Sequence, residues 1–156
     1  MTEADEAVGK ALNKAYRFLA LRARSEKELR DKLREKGIPE QVIHQVIEKL
    51  AELQYLDDGA FAGQWARNLA VNRLYGNRRI EISLREKGIL PGAIDRAIEE
   101  ARLELSEKAA VEKLIQKKIG RRKSTETDIR EKHRLYQWLV GRGFPADVIF
   151  ERLKDL

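Results

Sequence analysis

Few residues of this sequence have types and spacings that could carry chemistry, and most of those are cations. Lys117, Lys118, Arg121, Arg122 and Lys123 place five positive charges within seven residues. Such a density creates a field that attracts phosphate backbones, with binding that weakens as salt rises. A solvated linker would need no partner, and the run alone leaves both readings open. A second group is Tyr75-Gly76-Asn77-Arg78-Arg79, where two guanidiniums stand at the start of an expected helix whose free amides also favour anions. Tyr75 is the aromatic residue best placed to meet a partner there, although spacing alone admits a solvated face as well. Arg67 and Arg73, a little upstream, complete the basic candidates.

Acid–base, metal and nucleophilic chemistry find less support. Asp57-Asp58 could suggest a metal site, but hard cations need several converging oxygen ligands, and no further Asp or Asn follows at loop spacing. The pair reads as a helix cap. His44 and His133 lie far apart on different helices, with no Ser or Cys nucleophile in a recognisable setting. The glycines are isolated helix stops, and none forms a phosphate-cradling loop. Trp65 and Trp138 fall on apolar faces and read as core. The sequence therefore implies no catalytic residue, no cofactor and no metal.

The elements that must position the cations come from a repeat. Leu33-Arg34-Glu35-Lys36-Gly37-Ile38-Pro39 returns as Leu84-Arg85-Glu86-Lys87-Gly88-Ile89-Leu90 and, more loosely, as Leu139-Val140-Gly141-Arg142-Gly143-Phe144-Pro145. The glycines are 51 and 55 residues apart (88 − 37 and 143 − 88), a period characteristic of helical repeats. Each glycine is placed to close a helix in the left-handed conformation. Aligned on them, Leu29, Ile80 and Leu135 coincide, as do Leu33, Leu84 and Leu139, and Ile43, Ile94 and Ile149. These are predicted core positions of one recurring three-helix design.

Within the first unit, Ala11 to Arg22 predicts a helix of about three turns from apolar spacing. Ser25-Glu26-Lys27-Glu28 then reads as a capping box opening a second helix, and Val42 to Leu53 supplies a third. The second unit begins at the Asp57 cap, with Phe61, Trp65 and Leu69 on its first helix. The third carries Ala109 to Ile115, then Ile129, Leu135, Trp138 and Leu139. The expected fold is all-α, a tandem array of three three-helix repeats, elongated or curved. A flexible N-terminus (1–10) precedes repeats at 11–54, 55–104 and 105–156. No exposed pattern identifies a groove-reading helix.

Composition agrees. Charged residues are 37% of the 156-residue chain and the formal net charge is +6, a helical composition. From Leu105 to Lys123 there are seven basic and two acidic residues, a balance of +5, so the excess is local. With no cysteine, neither disulfides nor thiolate metal sites arise, which fits a reducing compartment. No apolar run is long enough for a bilayer, and Glu3, Asp5 and Glu6 stand where a secretory signal would be basic and apolar. A soluble, unprocessed, cytoplasmic chain is expected, with no membrane association.

Several stretches together resemble the RecX family of regulators of the RecA recombinase: Ala15-Tyr16-Arg17-Phe18-Leu19-Ala20, Ser25-Glu26-Lys27-Glu28-Leu29, Leu56-Asp57-Asp58-Gly59-Ala60-Phe61-Ala62, Tyr75-Gly76-Asn77-Arg78-Arg79-Ile80, Gly141-Arg142-Gly143-Phe144 and Asp147-Val148-Ile149. The resemblance covers nearly the whole chain from about Ala11. It implies a modular array without enzymatic activity that lodges in the groove of a RecA filament on single-stranded DNA. There it would inhibit strand exchange and ATP hydrolysis or promote filament loss. The implied partners are the RecA filament and, weakly and without sequence preference, single- or double-stranded DNA; a monomer is expected. Contact residues, resting on charge and exposure, are Arg67, Arg73, Tyr75, Arg78, Arg79, Lys117, Lys118, Arg121, Arg122 and Lys123. Where the family often carries Arg-Arg-Gly-Phe, this chain has Gly141 before Arg142, which predicts a looser helix end.

Overall fold

The computed structural model describes residues 2–120 and 128–156. Among them are nine α-helices and no strand: α1 (Glu3–Leu21), α2 (Glu26–Glu35), α3 (Glu40–Glu52), α4 (Asp58–Arg67), α5 (Asn77–Glu86), α6 (Pro91–Glu104), α7 (Glu107–Ile119), α8 (Ile129–Gly141) and α9 (Ala146–Leu153). A π-helical turn, Asn68–Asn72, prolongs α4. Within each unit the first and second helices pack on the third: α1 and α2 on α3, α4 and α5 on α6, α7 and α8 on α9. Three separate hydrophobic cores result. The nine aligned core positions are all buried, none more than 4% exposed.

The helix stops repeat down to individual hydrogen bonds. Gly37, Gly88 and Gly143 have φ of 77°, 79° and 98°. At each, the glycine N–H donates to the residue three back (Arg34, Arg85, Val140; 2.9, 3.0 and 2.9 Å). The following N–H (Ile38, Ile89, Phe144) donates to the residue five back (Leu33, Leu84, Leu139; 3.3, 3.1 and 3.2 Å). This double closure satisfies carbonyls that a helix end leaves unpaired. Gly141 does not loosen α8, because the closure falls on Gly143 and Phe144.

Other expectations shift. The first helix starts at Glu3, two turns before its first buried residue, because Thr2 and Asp5 form a capping box: the Thr2 hydroxyl accepts from the Asp5 N–H and the Asp5 carboxylate from the Thr2 N–H, each at 3.2 Å. Ile129 is 85% exposed and Leu53 50% exposed, since both sit at helix ends beyond the buried stripe. Trp65 and Trp138 are only partly buried, packed against the edges of their cores.

Helices of different units meet at their ends. The start of α2 abuts the end of α5, and the start of α5 abuts the end of α8. At the first junction the Ser25 hydroxyl donates to the Lys87 carbonyl (2.7 Å), Lys27 Nζ to the Glu86 carbonyl (3.0 Å) and the Glu26 N–H to Asp58 (2.8 Å). At the second, the Gly76 N–H donates to the Arg142 carbonyl (2.8 Å) and the Arg78 N–H to the Gly143 carbonyl (3.2 Å). Ser25 and Gly76 are 51 residues apart, Lys87 and Arg142 are 55 apart, so one contact is used twice.

Candidate nucleic-acid interface

The segment from Arg73 to Gly76 links the π-helical turn to α5, and its shape comes from the end of α4. The wider turn leaves Leu74 at φ 56°, a left-handed conformation that costs a non-glycine residue about 1–2 kcal/mol. Packing holds it there: Leu74 is 5% exposed and belongs to the core of the third unit, with Val111, Leu114 and Leu139. Two arginines clamp the carbonyls this bend turns outward. Arg142 donates to the Leu74 carbonyl (3.2 Å) and to that of Arg73. Arg102 donates to the Tyr75 carbonyl (2.8 Å) and to the Asn77 side chain (2.6 Å). Burial lowers the Arg102 pKa, while nearby Glu107 opposes the shift.

Around this loop the guanidiniums gather on one ring. Those of Arg142, Arg79 and Arg73 lie 4.3, 5.2 and 5.9 Å from the centroid of Tyr75. Arg142 also lies 5.7 Å from Trp138, and Lys118 Nζ 4.7 Å from the same ring. Such contacts are favourable because the ring face is electronegative. Lys117 and Lys118 occupy the last turn of α7, where the helix dipole favours cations. Lys117 borders an open groove with Val71, Asn72 and Leu74. Among the described residues, none of Arg73, Arg78, Arg79, Lys117, Lys118 or Arg142 forms an ion pair.

The structure thus brings together Arg73, Tyr75, Arg79 and Lys118, with Arg78 exposed alongside on α5 and Lys117 on the same end of α7 as Lys118. It does not bring in Arg67, which is held by Glu104 in a two-pronged ion pair of 2.7 and 2.6 Å that raises its pKa. Arg121, Arg122 and Lys123 lie outside the described residues. The expected free amides at the start of α5 are already engaged, Asn77 N–H by the Glu107 carboxylate (3.2 Å) and Arg78 N–H by Gly143. Sequence reasoning missed Arg142, the hub of the cluster, and Arg102. The available signal was the alignment of Arg142 with Lys87, a cation before the stop glycine in both copies.

The other candidates have structural work. Asp57 caps α4, accepting from the Ala60 N–H at 3.0 Å, while Asp58 reaches across the first junction to Glu26. His44 lies 3.2 Å from Glu48 on an exposed face. His133 borders an open groove with Ile129, Tyr136 and Phe150, and no Ser, Thr or Cys is among its described lining residues. No cluster of three His, Cys, Asp or Glu suited to a metal occurs among the described residues, and no described helix is long and apolar enough to cross a membrane.

The first junction has the opposite electrostatics. Glu28 takes Arg22 (2.5 Å) and Lys87 (3.0 Å) as partners, and those cations lie 5.6 and 4.5 Å from the Trp65 ring. Burial pushes the Glu28 pKa up, but hydrogen bonds from Arg22, Lys87 and the Ser25 N–H outweigh it and hold the carboxyl at about 2.

Comparison with known proteins agrees with this three-part construction. The models of the first, second and third three-helix domains of RecX match residues 11–50, 57–98 and 106–153 in order. The chain is similar to the regulatory protein RecX of Listeria monocytogenes serovar 1/2a, 35% identical over 95% of this chain and 57% of that one. It is also similar to that of Mycolicibacterium smegmatis, 32% identical over 90% of this chain and 76% of that one. The chain therefore spans little more than half of the Listeria relative. A crystal structure of a regulatory protein RecX superposes with a TM-score of 0.82 at 29% identity, covering 96% of this chain and 74% of that one.

Proposed function

The chain belongs to the RecX family of regulatory proteins, and within it we propose a non-enzymatic regulator that binds RecA recombinase filaments on DNA and inhibits the recombinase or promotes filament disassembly. The observation that carries this reading is the gathering of Arg73, Arg79 and Arg142 on one aromatic ring, with Lys118 beside them and no carboxylate partner for any of the four among the described residues. A filament with DNA at its centre offers a repeating anionic surface, and units joined in one chain add modest contacts through effective concentration. The contact face runs through Arg73, Tyr75, Arg78 and Arg79 to Lys117 and Lys118, and continues in sequence to Arg121, Arg122 and Lys123. The same reading takes the protein as a cytoplasmic monomer.

The test is RecA-catalysed ATP hydrolysis on single-stranded DNA, with the chain added where its own binding to free DNA is negligible. Slowed hydrolysis and faster filament loss are expected. No effect on either would sink the reading and leave the rival the same cations favour, a nucleic-acid-binding protein that acts without RecA. A helical adaptor for another protein would be recognised by what co-purifies.

A further inference from the structure

The two junctions repeat one contact around different rings, Trp65 in the first and Tyr75 in the second, and their charge balance differs at one aligned position. Counting 51 residues on from Glu28 gives Arg79, and 55 on from Lys87 gives Arg142. In the first junction a carboxylate lies between the cations that cover an aromatic ring. In the second that carboxylate is replaced by another cation, so Arg73, Arg79 and Arg142 crowd around Tyr75 with no anion among the described residues to separate them. Attraction to the ring is modest for each, and like charges held this close repel. Arg142 directs donors to the Leu74 and Arg73 carbonyls, and no carboxylate among the described residues balances the three charges.

We propose that the second junction is a phosphodiester-binding site, in which a backbone phosphate of a nucleic-acid strand takes the place that the Glu28 carboxylate holds in the first. Guanidiniums suit that anion because their forked donors match phosphate oxygens. Three guanidiniums lie 4.3, 5.2 and 5.9 Å from the Tyr75 ring, which acts as a template for the cations. Recognition is therefore of the backbone and indifferent to the bases. This rests on the reading of the basic face as the contact surface and adds the ligand group and the residues.

The probe is a fluorescent oligo(dT) strand, followed by anisotropy with the chain alone, beside an abasic phosphodiester strand of equal length. Both strands are expected to bind within about twofold of each other, since phosphate contacts carry no base information. Arg79→Glu, which restores the acid of the first junction, should weaken binding about tenfold or more and lower the log–log salt slope by about one. Lys49→Glu, an equal charge change on the exposed face of α3, should stay within about twofold, as a non-contact residue does. Arg79→Gln, which removes the cation and adds no acid, should fall between the two, and circular dichroism checks that each variant is folded. Much weaker binding of the abasic strand, equal effects of Arg79→Glu and Lys49→Glu, or a polyglutamate peptide competing as well as a strand of equal charge would each overturn the proposal. The regulatory reading is scored separately by RecA ATP hydrolysis. Arg79-dependent strand binding with RecA unaffected supports the site and sinks that reading. RecA inhibition without Arg79-dependent strand binding does the reverse.

Discussion

Gly76 and Gly143 face each other across the second junction so closely that a Cβ on Gly76 would lie 2.3 Å from the Gly143 carbonyl carbon and oxygen. A Cβ on Gly143 would in turn lie 2.5 Å from the Arg79 nitrogen. Two backbones touch with no side chain between them, and this sets how the third unit sits on the second. The stop glycine of the first unit, Gly37, has nothing within 4 Å of its Cβ position. Gly37→Ala should therefore cost only the left-handed backbone preference, about 1–2 kcal/mol. Gly143→Ala should cost about 3–5 kcal/mol, because backbone overlap is added. Urea denaturation of the two variants checks the ordering.

The Glu28 network gives the first junction a pH dependence. The carboxyl titrates near 2 in the folded chain against an ordinary 4.5. Its stabilisation, up to about 2–3 kcal/mol, is present above the unfolded pKa and lost as pH falls from about 5 towards 2. Wild type should lose stability across that window more steeply than Glu28→Gln, measured by denaturant midpoints at stepped pH. Equal slopes would show that the network adds nothing to folding.

Leu74→Ala should destabilise the chain by about 2–4 kcal/mol, the range for deleting a buried leucine side chain, although Leu74 precedes the third unit by thirty residues of sequence. Hydrogen exchange should show the loss concentrated in α7 and α8, whose side chains surround it. Protection lost mainly in α4 and α6 would contradict that placement.

Arg67→Ala and Arg78→Ala should separate on the contact face. Arg67 is held by Glu104 in a solvent-exposed, screened pair, so its loss should leave salt-dependent DNA binding nearly unchanged. Among the described residues Arg78 has no carboxylate partner, and its loss should lower the salt slope by about one. Equal slopes for both variants would remove Arg78 from the face.

Replacing Lys117, Lys118, Arg121, Arg122 and Lys123 together by alanine should relieve inhibition of RecA and flatten its salt dependence, because each phosphate contact releases counterions. Unchanged inhibition and salt dependence would exclude this run from the function.

The cores and stops were legible in the sequence because they obey local rules: leucine and isoleucine at fixed distances from a glycine, and a serine three residues before a glutamate. What joins the units was not legible. Arg142 reads as one more helix-end cation, and only the fold brings it to the Leu74 carbonyl and the Tyr75 ring. Leu74 carries no local mark, and nothing near it in sequence shows that the π-helical turn swings it into the next core. The amides of α5 looked free because Glu107 lies thirty residues away in sequence. Local signals describe a helix and its caps, whereas a junction is made of residues distant in sequence.

Leu74 also decides where this protein can be cut and spliced. A graft of the third unit drawn at residue 105 would leave behind the side chain that fills its centre and the carbonyls that Arg142 grips. A transplantable module must carry the loop from Arg73 onward as a detached plug. Exchange between related arrays would then preserve function only when the crossover respects that overlap.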